Sequence, residues 1–194
     1  MLAEAAGPMR RRSIAIVVVA AGLAGACAGP QYQADLLRAQ VNAPYLLASG
    51  DRLRVIVFGQ DNLSNSYSVD GAGNVSLPLI GLVKASGLTT AELERTVETR
   101  LRNGFLREPR VSIEVEAFRP FFVLGEVTTA GQYPFINGMT VQNAVAVAGG
   151  YSPRGYHGDV DITRLVNGRP ITFTAPQTFP VRPGDTIAVR ERFF

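Results

Sequence analysis

Four carboxylates stand where this chain could do acid–base chemistry: Asp51 in Ser49-Gly50-Asp51, Asp70 in Asp70-Gly71-Ala72-Gly73, Glu126 after Gly125, and Asp185 in Pro183-Gly184-Asp185. Two of them on facing elements would suffice to protonate and displace a glycosidic oxygen. Each also has a plainer reading, because aspartate next to glycine bonds backbone N–H groups in turns, and Glu126 reads as a surface group. Gly50 to Val55 and Gly184 to Val189 share the pattern Gly-Asp-x-[Leu/Ile]-x-Val, which reads as a turn feeding a strand rather than as a catalytic pair. His157 is the one histidine, lies in Arg154-Gly155-Tyr156-His157-Gly158 and reads as a loop residue; alone it makes no multi-histidine metal site. There is no Gly-x-Ser-x-Gly elbow, Walker loop or dinucleotide fingerprint, and Asp70-Gly71-Ala72-Gly73-Asn74 lies between strand-like segments, not between a strand and a helix. The expectation is a chain with no catalytic residue, no metal and no cofactor.

The remaining reactive side chain is Cys27, the single cysteine, which forms no internal disulfide. It follows Arg10-Arg11-Arg12, an apolar run from Ser13 to Gly25, and Ala26. A basic cluster, an apolar stretch of about 7–15 residues and small exit residues make a secretory signal peptide, which is cleaved away. Leu23-Ala24-Gly25-Ala26-Cys27 resembles a bacterial lipobox, whose cysteine is acylated, although Ala24 stands where a large aliphatic residue is usual. Ala24-Gly25-Ala26 also satisfies ordinary signal peptidase, which would leave Cys27 a free thiol. Residues 1–26 are therefore read as signal peptide, with Met9 a second candidate start, and residues 27–44 as a tether. The apolar run is shorter than the roughly 20 residues of a membrane span. Loss of residues 1–26 removes three arginines and Glu4, leaving 16 basic against 15 acidic side chains, so no basic footprint for nucleic acid remains.

Positioning elements follow from periodicity. Leu53, Val55 and Val57 alternate with Arg52, Arg54 and Ile56, a strand with one buried face. Two short alternating segments around Asp70-Gly71 predict a β-hairpin over Tyr67 to Leu77. Thr89 and Glu92 have capping-box spacing, and Leu93, Val97 and Leu101 make one apolar helix stripe, with Glu94, Arg95, Glu98 and Arg102 on the wet side and Glu98 spaced to pair with Arg102. Val111, Ile113 and Val115 predict the next strand. After Arg119-Pro120 come a strand from Phe121, a turn at Thr129 to Gly131, and a short helix capped by Thr140 and ended by Gly149-Gly150. Strands around Val160 and Ile162, Ile171 and Phe173, and Ile187 and Val189 complete the chain. The pattern is α+β: two small β-rich modules, each with one main helix.

Taken in order, Gly50-Asp51-x-Leu53-x-Val55, Val69-Asp70-x-x-Gly73-x-Val75-Ser76-Leu77-Pro78, Gly87-Leu88-Thr89-x-x-Glu92-Leu93 and Pro109-x-Val111-Ser112-Ile113 resemble the polysaccharide export domain of bacterial capsule and exopolysaccharide exporters. Val123-Leu124-Gly125-Glu126-Val127, Gly131-x-Tyr133, Thr140-Val141, Ala148-Gly149-Gly150-Tyr151 and Pro183-Gly184-Asp185 resemble the soluble-ligand-binding β-grasp (SLBB) domain that follows it. The resemblance implies an export domain over 45–118 and an SLBB β-grasp domain over 119–194. It further implies a protein at the periplasmic face of the cell outer membrane, lipid-anchored or else periplasmic, that assembles as a homo-oligomer for passage of polysaccharide. The implied partner is an inner-membrane polysaccharide co-polymerase, often linked to a tyrosine kinase. Wza-type members carry further modules and a C-terminal amphipathic helix; here Arg192-Phe193-Phe194 follows the last strand, so the expectation includes a separate outer-membrane channel or an adaptor role.

Two other readings compete. A small-ligand or sugar receptor would use the loop glycines Gly125, Gly131, Gly149 and Gly150 as ligand-binding positions, against the plainer reading of turn geometry and a helix cap. A polysaccharide-modifying enzyme would use the carboxylates named above.

Overall fold

The computed structural model describes residues 43–166 and 168–192; Cys27, the signal peptide and nearly all of the tether lie outside them. In the first module, β1 (Arg52–Val57) is the middle strand of a three-stranded antiparallel sheet, between β2 (Asn65–Ser68) and β5 (Val111–Ala117). Its alternation buries Leu53, Val55 and Val57, as the sequence predicts. A 3-10 turn at Asp61–Leu63 joins β1 to β2. The helix α1 (Thr90–Arg102) starts at the Thr89 N-cap with the capping box formed, and buries Leu93, Val97 and Leu101.

The hairpin expected over Tyr67 to Leu77 is not the pairing observed. The turn closes, with the Asp70 carbonyl accepting from Gly73 N and Asp70 N donating to Asn74 O. However, β2 pairs with β1, and β3 (Asn74–Leu77) pairs with β4 (Gly81–Lys84) across Pro78-Leu79-Ile80. β2 lies beside an open edge of β1 and takes it, so the Asp-Gly turn passes the chain from one sheet to another.

The second module is a five-stranded sheet in the order β7-β6-β10-β8-β9. Its strands are β6 (Phe121–Gly125), β7 (Gly131–Tyr133), β8 (Val160–Val166), β9 (Arg169–Ala175) and β10 (Thr186–Val189). First and last strands, β6 and β10, run parallel at the centre, and antiparallel hairpins flank them. The helix α2 (Val141–Val147) is capped by Thr140 and packs Val141, Ala144 and Val145 onto the sheet. This is the β-grasp arrangement expected from the sequence. Each module has its own core: Leu53, Val75, Val83 and Val97 belong to the first, and Phe121, Val123, Ile162 and Ile187 to the second. Among the described residues, no helix is long and apolar enough to cross a membrane.

Candidate functional site

The two Gly-Asp turns do the same job in the two modules, and both close on the connection between them. Asp51 is fully buried, and its carboxylate accepts from the Tyr45 hydroxyl at 2.6 Å, Ala48 N at 2.8 Å and Arg119 N at 2.9 Å. The Arg119 guanidinium lies 3.6 Å from it and donates to the Tyr45 oxygen at 3.0 Å. Burial first, and the hydrogen bond to Asp51 second, push the Tyr45 phenol far above its ordinary range, so it stays protonated. Asp185, also buried, takes both Nε and one terminal nitrogen of Arg164 at 2.8 and 2.6 Å, and Arg182 N at 2.8 Å. Arg164 lies over the rings of Phe173 and Phe179. Gly184 N donates to Pro120 O at 3.0 Å; its φ of +84° favours glycine, and a Cβ there would also have to displace the Arg119 side chain, whose Nε would lie at 2.6 Å. Arg182 donates to Ala43 O, which ties the entering chain to the same place.

Beside this junction lies a cleft of about 450 Å³, lined by Pro44, Tyr45, Thr89, Thr90, Ile113 to Val115, Phe118 and Asn137. Phe118 stands edge-on to Tyr45 and to Phe135, at 4.9 and 5.4 Å between ring centres, so its aromatic wall is held from both modules. One flank is the outer edge of β5. There Val111 N donates to Glu98 Oε1 at 3.0 Å and Ile113 N to Glu94 Oε1 at 2.7 Å. The two glutamates read from sequence as wet-side residues are therefore committed to the sheet edge, and Glu98 serves the strand where a pair with Arg102 was expected.

The carboxylates nominated for catalysis all have structural partners. Asp70 Oδ1 accepts from Ala72 N at 2.9 Å and Asn74 N at 2.8 Å, and Glu126 accepts from the Ser152 hydroxyl at 2.6 Å. His157 stacks on Tyr151 with ring centres 4.4 Å apart. Among the described residues, no three His, Cys, Asp or Glu side chains gather as a metal-ligand set. Gly125, Gly149 and Gly150 come together around Val127 to Thr129, whereas Gly131 opens β7. The Thr128 hydroxyl donates to Gly149 O at 2.9 Å, and Thr128 N donates to Gly150 O at 2.9 Å. Tyr45 was legible in the sequence as the start of the first module, whereas Thr90, Phe118 and Asn137 were not singled out as site residues. The signal that existed was the four-residue spacing of Thr90, Glu94 and Glu98, which has meaning only beside β5.

Comparisons with known proteins fall on these same two units. Residues 39–116 match the family described as polysaccharide biosynthesis/export protein, and residues 120–174 match the SLBB domain. Over 90 residues, 45% of this chain and 21% of the relative, the sequence is 39% identical to the exopolysaccharide production protein ExoF of Rhizobium meliloti. It is 28% identical to the polysialic acid transport protein KpsD of Escherichia coli over 63% of this chain and 23% of that protein. It is 26% identical to the EPS I polysaccharide export outer membrane protein EpsA of Ralstonia solanacearum over 77% of this chain and 48% of that protein. The chain thus spans less than half the length of these curated relatives. With an export module and an SLBB module matched in tandem, each on its own core, the chain belongs to the polysaccharide export protein family.

Proposed function

We infer that this protein is a non-catalytic component of a capsule or exopolysaccharide export machine, acting at the periplasmic face of the outer membrane. The observation that carries this reading is the tandem match of both family units across residues 39–174. The names of the relatives support it, since they are production, transport and export proteins for polysaccharides. The carboxylates nominated for sugar-bond cleavage are bound into turns, a buried ion pair and a loop contact, a use that suits a conduit component, which needs shape and subunit contacts rather than a nucleophile.

In this reading the chain assembles as a homo-oligomeric ring, a closed symmetry that makes a passage from a small subunit. Cys27 carries the lipid that holds it at the membrane, and an inner-membrane co-polymerase with its tyrosine kinase delivers the polymer. Deleting the gene should abolish surface polysaccharide while repeat-unit synthesis continues; normal secretion in the deletion strain would count against the reading. Size-exclusion chromatography with light scattering should give the mass of a closed multimer, and a strictly monomeric mass would favour a ligand receptor instead. Metabolic labelling with a palmitate analogue should mark the wild type and not Cys27→Ser.

A further inference from the structure

Thr90, Glu94 and Glu98 succeed one another four residues apart along one stripe of α1, and Val115, Ile113 and Val111 succeed one another two residues apart along the outer edge of β5. Four helical residues advance about 6.0 Å and two strand residues about 6.8 Å, so the two series keep step. Glu98 takes the Val111 N–H and Glu94 takes the Ile113 N–H. At the third step the strand offers Val115, whose N–H the alternation of the ladder turns outward like those of Val111 and Ile113. The helix offers only Thr90 there, a side chain too short to continue the series. The cleft of about 450 Å³ opens at this step, with Thr90, Val115, Phe118 and Asn137 in its lining.

We propose that this third position is a glycan subsite, in which an oxygen of a neutral hexopyranose unit occupies the place of the missing carboxylate on the Val115 N–H. The Thr90 hydroxyl and the Asn137 amide bond neighbouring sugar hydroxyls, and Phe118 with Pro44 forms the apolar wall for the C–H face of the ring. Glu114 is the one carboxylate in the lining, and the cleft holds no arginine or lysine, so uronate or phosphate-bearing units are disfavoured. The inference rests on the export reading, from which the glycan class follows.

The test uses the purified full chain with cellotetraose and tetragalacturonate as probes, read by saturation-transfer NMR. Cellotetraose should receive saturation with a Kd of about 1 mM, the weak grip a passing polymer requires, and tetragalacturonate should receive none. Thr90→Glu extends the carboxylate series onto Val115 and favours the helix N-terminus, so it should weaken cellotetraose at least about tenfold while leaving thermal stability unchanged or raised. Asn137→Ala, at an exposed loop position, should weaken it about threefold and guards against a folding defect in the first variant. No transfer to cellotetraose in the wild type, full transfer in both variants, or equal transfer to tetragalacturonate would overturn the proposal. Binding by a protein whose deletion leaves secretion intact would sink the export reading alone; absent binding in a strain that needs the protein would sink the subsite alone.

Discussion

At Gly125 the backbone has φ +82°, and the Val189 carbonyl occupies the space a Cβ would need, so strain and overlap act together. Gly131 has neither constraint. Gly125→Ala should therefore lower stability by about 2 kcal/mol or more, and Gly131→Ala should stay within about 0.5 kcal/mol, in urea unfolding. Both glycines were nominated together from sequence, and equal effects would show that the backbone account of Gly125 is wrong. A second residue-scale prediction concerns Glu92, whose carboxyl is held below its ordinary range, chiefly by the Thr89 N–H at 2.8 Å and then by the Thr89 hydroxyl. A depressed carboxylate stabilises the fold above its unfolded pKa, about 4.3, and that contribution fades as pH falls through the lower folded value. Glu92→Gln retains the capping geometry without titrating. The stability difference between wild type and variant should be constant from about pH 6 to 8 and shrink below about pH 4; a difference that grows on acidification would contradict the capping role.

Among the elements, β5 is a sheet edge whose Val111 and Ile113 N–H groups are covered by helix carboxylates rather than by another strand. Such edges invite pairing with other chains when uncovered. Glu98→Ala should cost about 1–2 kcal/mol in chemical denaturation by orphaning the Val111 N–H, and should raise light scattering at high protein concentration. An unchanged midpoint would show that solvent serves that edge equally well. The same element explains what could and could not be read from the sequence. α1 was legible because its cap, its apolar stripe and its end are all local. β4 was not, because among its four residues only Val83 is buried and no alternation shows. The Asp70-Gly71 turn was found, but the partner of each flanking strand is a long-range choice that turn chemistry does not make. Asp51 and Asp185 were correctly read as turn residues, whereas the cleft draws on four separated stretches and leaves no local mark.

The whole molecule is two cores joined at Arg119-Pro120, with Asp51 of the first module holding the backbone of the connection. Removing that carboxylate leaves the Ala48 and Arg119 N–H groups without their acceptor and the Arg119 charge without its partner, for a loss of about 3 kcal/mol or more. Asp51→Ala should split a shared calorimetric transition into two, the first module melting earlier. One coincident transition in the variant would show that the modules are coupled by other contacts. The central parallel pairing of β6 with β10 has a further consequence for biogenesis. These neighbours come from opposite ends of the second module, so a ribosome or translocation pore must release almost all of it before the sheet can latch. High contact order of this kind slows closure. A nascent polypeptide with such wiring stays threadable until late, a property that suits the route to the periplasmic face proposed above.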